Sequence, residues 1–420
     1  MTTNQLFPFA WLSLLATNPA SAVDVYAVTD LGSLGGANSS AYGINARGQV
    51  VGESELTPGS NSTHAFLYDT AGLHDLSAFG GADSAAFGIN AGGQIIGCTD
   101  CQSAAGSKAF LYDAAKGTLS ALGDPGSLAY AINDAGQAAG KFLTQSADTH
   151  ALFYDAATGA KDLGTLGGAY SAATSINAGG QVVGESSTGA GGASIHAFSY
   201  TGAGLGDLGT LGGFNSSAWG VNNNGLVVGT SNYTANSNDT HAFLADSGGM
   251  RDLGTLGGNS SWAYAINSGG QIVGQADIGG NPVSHAFLYD SGVMRDLNNL
   301  LLSNPGGWTV TYAGGINDAG QIIANGTNSA GASHALFLSP VRNLVKINCL
   351  FNWAEANYPA FFAPAGQTTD YWYVYTFRHY PVSSAYLGVS STDNHVYYMG
   401  ADGKMSDQGP LASWLAQSGC

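Results

Sequence analysis

A unit of about 44 residues recurs seven times along this chain, and this repetition constrains the fold more than any other feature. One unit reads Asp-Leu-Gly-x-Leu-Gly-Gly, a polar link, Gly-Ile-Asn, Gly-Gln-Val-Val-Gly, a variable polar loop and His-Ala-Phe-Leu-Tyr. The Asn of the second motif recurs at steps of 45, 43, 44, 45, 45 and 50 residues: Asn45, Asn90, Asn133, Asn177, Asn222, Asn267 and Asn317. Repeats of roughly 40–50 residues are typical of propellers and related arrays.

Each unit contains four short runs with strand character, for example Ala41 to Asn45, Gln49 to Gly52, His64 to Tyr68 and Leu73 to Phe79. Four strands in about 44 residues match the spacing of antiparallel β-structure. A four-stranded meander has two apolar faces, so its copies must stack. The sequence therefore predicts an all-β fold, a seven-bladed β-propeller over residues 23–340, with a parallel β-helix as the main alternative.

The two ends of the repeat region are unequal. Residues Val25 to Leu34 hold only the Asp-Leu-Gly strand, whereas the last unit ends at His334 to Leu338 without a well-formed one. We expect the N-terminal strand to complete the seventh blade, because this pairing closes the ring and removes an exposed sheet edge.

The tandem Asp-Leu-Gly-x-Leu-Gly-Gly, Gly-Ile-Asn and His-Ala-Phe units resemble the HAF family of extracellular bacterial repeat proteins, over about Tyr26 to Leu338. The resemblance implies a secreted location and no particular activity. The copies depart from the pattern at Lys108 in place of His and at Ala138 and Ala139 in place of Val-Val. A longer insert at Leu297 to Gly314 replaces the Gly-Gly link.

The N-terminus has the features of a secretory signal, although residues Met1 to Gln5 carry no Lys or Arg. An apolar stretch, Leu6 to Ala16, precedes Ala20-Ser21-Ala22, which fits a small-x-small cleavage site. We assign residues 1–22 to a signal peptide and expect the mature chain to be extracellular or periplasmic. No stretch is long and apolar enough to predict a membrane span.

After residue 340 the repeat stops, and residues 341–420 are predicted as a small α+β domain. Val341 to Glu355 and Leu411 to Gln417 have helical spacing, while Tyr371 to Tyr380 and Ala385 to Met399 have strand character. The aromatic residues of this segment are interpreted as its core, with a sugar-stacking surface as the alternative. In a secreted chain the four cysteines predict two disulfides, Cys98–Cys101 and Cys349–Cys420, with a redox pair as the alternative for the first.

The charge balance excludes one class of partner. Lys and Arg number 11 against 28 Asp and Glu, giving a formal charge of −17. Such a surface repels phosphate backbones, so we predict no nucleic-acid partner. We expect a monomer.

Strand direction alone separates two ends of such a ring. The first hairpin turn, as in Asn45 to Gly48, is nearly identical in every copy, and we expect that end to be scaffold. The other end carries the variable loops, so we expect any ligand there. One position after the second strand varies among the copies: Glu53, Cys98, Lys141, Glu185, Thr230, Gln275 and Asn325. We select Glu53, Lys141 and Glu185 as ligand-binding residues, with ordinary solvated loop positions as the alternative.

A His recurs at the start of the last motif in six copies. Zinc requires three or four ligands within about 2.1 Å of one point, whereas one His per blade on a third strand lies far from the axis. We therefore predict a structural hydrogen bond for each His and no metal site. These residues are His64, His150, His196, His241, His285 and His334.

The sequence contains no nucleophile elbow, P-loop, zinc-protease helix or EF-hand loop, and we predict no catalytic residues and no cofactor. The resulting hypothesis is a secreted, non-enzymatic β-propeller that binds an extracellular glycan or protein. The alternatives are an extracellular polysaccharide hydrolase or lyase and a purely structural or adhesive surface protein.

Overall fold

The structure, a computed structural model, describes residues 25–59, 62–77, 79–103, 106–189, 194–235, 239–279, 283–341, 368–372, 375–380, 385–390, 395–399 and 405–410. The signal peptide at residues 1–22 and the predicted Cys349–Cys420 disulfide lie outside these residues. So do the two predicted C-terminal helices, apart from Val341 at the end of a strand.

Six consecutive four-stranded sheets follow the N-terminal strand β1, and each pairs its strands in sequence order. Blade 1 consists of the strands β2–β5, Ser39–Ile44, Val50–Glu55, Thr63–Asp69 and Gly72–Asp75. Blade 2 consists of β6–β9, Ser84–Ile89, Gln94–Thr99, Lys108–Asp113 and Thr118–Ala121. Blade 3 consists of β10–β13, Leu128–Ile132, Ala138–Leu143, Thr149–Asp155 and Gly159–Asp162. Blade 4 consists of β14–β17, Ser171–Ile176, Val182–Ser187, Ile195–Tyr200 and Leu205–Asp207. Blade 5 consists of β18–β21, Ser216–Val221, Val227–Asn232, Thr240–Asp246 and Gly249–Asp252. Blade 6 consists of β22–β25, Gly257–Ile266, Ile272–Ile278, Ser284–Asp290 and Val293–Asp296.

The seventh sheet has five strands in the order β26, β1, β29, β28, β27. They are Leu301–Ser303 (β26), Val25–Asp30 (β1), Ser333–Val341 (β29), Ile322–Thr327 (β28) and Thr309–Ile316 (β27), and a 3₁₀ turn, Leu297–Leu300, precedes β26. Strand β1 therefore lies beside the third strand of this blade, where the amide of Leu31 donates to the carbonyl of Ala335 at 3.0 Å.

This architecture confirms the predicted all-β, seven-bladed β-propeller. Within the described residues blades 1 to 6 are antiparallel meanders, not the parallel coils of a β-helix, and no α-helix occurs. In the seventh sheet β1 pairs with β26 in parallel. The propeller forms one compact unit, Tyr26–Pro340, and the residues from Val341 onward belong to a second unit.

The repeat motif follows from how the blades pack. Successive residues of a strand point to opposite faces, so Val50 packs toward the seventh blade with Ile323, and Val51 packs toward the second blade with Ile95. Gly52 pairs with Phe66 across the sheet, and a Cβ on Gly52 would lie within 2.8 Å of the Phe66 ring. The Gly of one motif therefore makes room for the Phe of another.

At six of the seven junctions a serine joins one blade to the next. The hydroxyl of Ser84, in blade 2, accepts from the amide of Ala65 in blade 1 at 2.9 Å and donates to the carbonyl of Ser77 at 2.7 Å. These groups are buried, so their hydrogen bonds are strongly favoured over leaving them unpaired. The amide-to-serine bond recurs at Ser39, Ser127, Ser171, Ser216 and Ser261.

The second unit contains a five-stranded antiparallel meander. Its strands are Thr368–Trp372 (β30), Tyr375–Tyr380 (β31), Ala385–Ser390 (β32), His395–Met399 (β33) and Met405–Pro410 (β34). Leu387 and Val396 are fully buried. In the part of the chain that the structure describes, no helix has the length and hydropathy needed to cross a membrane.

Candidate functional site

At the end of the propeller formed by the first hairpin turns, seven asparagines make a closed circle of hydrogen bonds. Each Nδ2 donates to the backbone carbonyl of the equivalent Asn in the next blade at 3.0–3.2 Å. The last bond runs from Asn317 to Asn45 and so joins blade 7 to blade 1. We call this end the turn end and the seven residues the Asn ring; they are Asn45, Asn90, Asn133, Asn177, Asn222, Asn267 and Asn317.

The same side chains also hold their own turns. In blade 1, Oδ1 of Asn45 accepts from the amides of Arg47 and Gln49 at 3.0 Å, and Gly48 completes the turn with a φ of 76°. A positive φ favours Gly at this position. The polar atoms of the Asn ring are thus fully engaged in structure, as expected for scaffold.

The recurring histidines form the hydrogen bonds that the sequence predicts. Nδ1 of each lies 2.7–2.9 Å from a carboxylate oxygen on the next strand outward in its blade. In blade 7 this partner is Asp30 of β1, which pairs with His334. Blade 2 lacks this pair, since Lys108 stands in place of the His and Ala121 in place of the Asp. Among the described residues, no group of three or more His, Cys, Asp or Glu is arranged to hold a metal ion.

A ring of aromatic side chains surrounds the central channel. The innermost strand of every blade has a β-bulge at its third residue from the end. In blade 1 the bulged residue is Tyr42, between Ala41 and Gly43. Bulges redirect side chains and are frequent beside binding sites. In five blades the bulged residue is aromatic and lines the channel: Tyr42, Phe87, Tyr130, Trp219 and Tyr264.

The other two blades supply an aromatic ring from a different position. In blade 7 the bulged residue is Gly314, and Tyr312 lies so close that a Cβ on Gly314 would be 2.7 Å from its ring. In blade 4 the bulged residue is Thr174, which lines the channel and whose hydroxyl donates to the carbonyl of Ala218 at 2.8 Å. The aromatic residue of this blade is Tyr170, just before the innermost strand, and its hydroxyl donates to Glu185 of the second strand. We call the seven residues the collar: Tyr42, Phe87, Tyr130, Tyr170, Trp219, Tyr264 and Tyr312.

Each of the three predicted ligand-binding residues contacts a collar tyrosine. The hydroxyl of Tyr42 donates to Glu53 at 2.7 Å, and that of Tyr170 donates to Glu185 at 2.6 Å. Nζ of Lys141 lies 5.9 Å from the centre of the Tyr130 ring. Because Glu53 pairs with Ser40, nearer the variable loops than Tyr42, these contacts face the loop end.

Burial and the two carboxylates keep the collar phenols neutral. Burial, together with the charge of Glu53, raises the pKa of Tyr42 well above its ordinary value, and burial with Glu185 does the same for the pKa of Tyr170. Burial, with a smaller effect of Glu185, raises the pKa of Tyr130 to about 12. Glu185 therefore acts on tyrosines of two neighbouring blades, 3 and 4.

The channel inside the collar encloses a cavity of about 230 Å³, far above the roughly 10–15 Å³ that admits one water molecule. Nε1 of Trp219, in its wall, is buried and has no hydrogen-bond partner among the described residues. Leaving a buried donor unpaired is unfavourable, so this indole N–H lacks the partner that buried donors usually have. A second cavity of about 190 Å³ at the turn end is lined by the Asn ring.

The remaining positions of the predicted variable ring have structural partners or lie apart from the collar. Cys98 is buried and lies at disulfide distance from Cys101, with their Cα atoms 5.4 Å apart. Oδ1 of Asn325 accepts from the amide of Ala41 at 3.0 Å and joins blade 7 to blade 1. The hydroxyl of Thr230 lies 3.4 Å from the carbonyl of Ser261 in the next blade.

The sequence reasoning missed the collar itself. A signal was present, because the residue before Gly-Ile-Asn or its equivalent is aromatic in five of the seven copies. The signal was incomplete, since Tyr170 and Tyr312 come from other positions of the repeat.

No family model matches the sequence, and no curated protein matches it. Solved structures are similar to it at low identity. The β-propeller domain of the Trilobed protease from Pyrococcus furiosus aligns at 6% identity and a TM-score of 0.48, covering 71% of this chain and 93% of that domain. A streptogramin B lyase aligns at 14% identity and a TM-score of 0.48, covering 75% of this chain and 98% of the lyase. A gluconolactonase from Xanthomonas campestris aligns at 12% identity and a TM-score of 0.38, covering 76% of this chain and 96% of that enzyme.

The prediction that the chain is not an enzyme is contradicted by these comparisons, because most of the similar structures are enzymes; an acylaminoacyl peptidase from Pyrococcus horikoshii is another. That prediction depended on the lack of a contiguous catalytic motif. A propeller instead assembles its site from residues far apart in sequence, one blade at a time. No activity of these distant proteins is carried over to this chain.

Proposed function

We propose that this chain is a secreted binding protein and that the collar takes up a small extracellular ligand from the loop end of the propeller. The observation that carries the proposal is the buried Nε1 of Trp219, an unpaired donor in the wall of an aromatic cavity. Ligand sites are typically apolar and aromatic clefts with a few polar groups. The collar combines aromatic side chains with Glu53, Lys141 and Glu185 in that way.

The size of the cavity supports a small ligand over a protein partner. About 230 Å³ lies below the roughly 300–1,000 Å³ of drug-sized sites. A ligand of the size of one sugar ring or a short amine matches this volume. A glycan partner, on this proposal, would present one terminal unit to the collar.

Export is part of the proposal. The signal-like segment of residues 1–22 and the Cys98–Cys101 pair at disulfide distance support an oxidising, extracytoplasmic location. N-terminal sequencing of the protein recovered from a producing bacterial culture should give Val23 as the first residue. Mass spectrometry of unreduced peptides should find Cys349 linked to Cys420, and free thiols at both would contradict that disulfide.

We further propose that β1 closes the ring in the folded protein and that the chain belongs to the HAF repeats. The closure is supported by two hydrogen bonds, one from the amide of Leu31 to the carbonyl of Ala335 and one between the side chains of Asp30 and His334. The family assignment is supported by the Asn, Gly and His-Ala-Phe residues, which recur on equivalent strands around the propeller.

A thermal-shift screen tests the binding proposal. The mature chain is screened against a defined panel of neutral monosaccharides and disaccharides, uronic acids, amines and quaternary ammonium compounds. Any compound that raises Tm is then titrated against two variants. Trp219→Leu removes a collar residue, and Tyr233→Leu removes an exposed aromatic residue at the same end, outside the collar.

We expect Trp219→Leu to weaken binding about tenfold or more, since each 1.4 kcal/mol of lost interaction gives a factor of ten. Tyr233→Leu should bind as the parent chain does. A panel with no binder would contradict the proposal. Binding that depends on Tyr233 and not on Trp219 would place the site outside the collar.

A further inference from the structure

The aromatic rings of the collar lie close to their neighbours without stacking on them. The ring centres are 5.4 Å apart for Tyr42 and Phe87, 5.6 Å for Phe87 and Tyr130, and 4.6 Å for Tyr264 and Tyr312. The planes of each pair are tilted by 41–52°, so no ring covers the whole face of its neighbour. Aromatic residues of five blades line one cavity on the axis, so one guest can contact several of them.

A cation already occupies one of these rings. Nζ of Lys141 lies 5.9 Å from the centre of the Tyr130 ring, within the roughly 6 Å at which a ring quadrupole attracts a positive charge. The chain thus holds its own ammonium group at the collar. Trp, in Trp219, and Tyr are the side chains that bind cations best.

The charged groups at the collar also favour a cation. Glu53 and Glu185 contribute two negative charges and Lys141 one positive charge, which leaves −1. The tyrosines remain neutral up to high pH and so do not change this balance. The whole chain carries −17, and this field draws cations toward the protein and repels anions.

We propose that the ligand of the collar is a small organic cation, an alkylated ammonium whose N-methyl groups lie against the aromatic side chains and whose charge faces Glu53 and Glu185. The inference rests on the proposed function and adds the ligand class to it. The free Nε1 of Trp219 calls for an acceptor on the same molecule. Choline combines an N-trimethyl group with a hydroxyl oxygen and is therefore the probe of choice.

The test is isothermal titration of the full mature chain with choline and, in parallel, with 3,3-dimethylbutan-1-ol. This alcohol has the shape of choline with a neutral carbon in place of the nitrogen. We expect choline to bind at least about tenfold more tightly, since a desolvated cation–π contact accounts for a difference of this size. Equal binding of the two compounds would overturn the inference.

Two substitutions should change the affinity in opposite directions, and a third serves as the control. Glu185→Gln should weaken choline binding about fivefold, because it removes a negative charge and keeps the acceptor for Tyr170. Lys141→Gln should tighten it about threefold or more, since it removes the internal cation that competes for Tyr130. Glu55→Gln is the matched control, because Glu55 binds Ala37 and Asn38 outside the collar, and it should leave the affinity unchanged.

The outcomes separate this inference from the proposed function. Weaker choline binding in Lys141→Gln would contradict a cation at the collar. If choline fails to bind but a neutral saccharide binds in a way that Trp219→Leu abolishes, the cation inference is wrong and the collar remains the ligand site. If neither binds, both proposals fail.

Discussion

The two ends of the propeller use the same repeat in opposite ways. At the turn end seven identical asparagines bond to one another around the axis, and the cycle closes from Asn317 to Asn45. At the loop end the equivalent positions differ from blade to blade, and Glu53, Lys141 and Glu185 each contact a different collar tyrosine. Repeated residues therefore build the ring, and we propose that the residues that break the repeat give it a ligand site.

The state of the buried polar atoms separates the two ends further. The side-chain atoms of the Asn ring have partners, whereas Nε1 of Trp219 has none among the described residues. A fully bonded group gains nothing from a ligand, while an unpaired donor gains a hydrogen bond. We therefore expect substitutions at the turn end to change stability and substitutions at the collar to change binding.

The largest effect on the scaffold should come from removing β1. A chain that starts at Ser33 loses Tyr26, Val28 and Leu31, all of which are buried. At roughly 1.5–3 kcal/mol for each side chain, the loss is about 5–9 kcal/mol, comparable with the whole stability of a domain. Thermal unfolding should show no cooperative transition, whereas a chain that starts at Val23 should melt normally. Equal melting of the two chains would contradict closure by β1.

The Asn ring gives the next largest effect, and one turn supplies its own control. Asn222→Ala removes the bond to the Asn267 carbonyl and the acceptor for the amides of Asn224 and Leu226. We expect a loss of about 2–4 kcal/mol in the free energy of unfolding, because buried groups are left unpaired. Asn223→Ala, at the exposed neighbouring position, removes only a solvent-exposed acceptor for the amide of Ala178 and should cost about 0.5–1 kcal/mol. Urea denaturation measures both, and equal losses would show that the ring contributes nothing special.

The collar tyrosines should make stability fall at alkaline pH. Burial raises the pKa of Tyr312 to about 12, against about 10 in an unfolded chain. Its contribution is fully present below pH 10 and is lost as the pH rises toward 12, because the unfolded chain then binds fewer protons than the folded one. Tyr312→Phe should flatten the decrease in the free energy of unfolding across this window by about 2–3 kcal/mol at most, which urea denaturation at a series of pH values measures, while Tyr233→Phe should not. An unchanged slope in Tyr312→Phe would contradict the burial of this phenol.

How much of this could be predicted from the sequence depended on symmetry. The seven blades, the turn end and the structural histidines follow from positions that repeat, such as Asn45 and His64, since one copy explains all the others. The collar requires knowledge of where a β-bulge turns a side chain. In blade 7 the aromatic residue is Tyr312, two residues before the bulged Gly314 and close to it. In blade 4 it is Tyr170, four residues before the bulged Thr174. No spacing rule within the repeat connects these positions.

Blade 2 offers the smallest effect and a direct check of the His–Asp pair. It carries Lys108 and Ala121 where His64 and Asp75 stand in blade 1. The double change Lys108→His with Ala121→Asp should stabilise the protein by about 0.2–1 kcal/mol, as exposed pairs usually do. Each single change should have no stabilising effect. A double-mutant cycle measured by urea denaturation gives the coupling, and a coupling of zero would show that the pair is only a geometric feature.

Two variants, Asn222→Ala and Glu185→Gln, show whether the turn end holds the ring together and the collar binds the ligand. For each variant the free energy of unfolding and the choline affinity are measured. We expect Asn222→Ala to lose about 2–4 kcal/mol of stability and to keep its affinity below the unfolding transition. We expect Glu185→Gln to keep its stability within about 1 kcal/mol and to lose affinity about fivefold. A Glu185→Gln variant with unchanged affinity, together with an Asn222→Ala variant that is stable but no longer binds, would contradict both expectations.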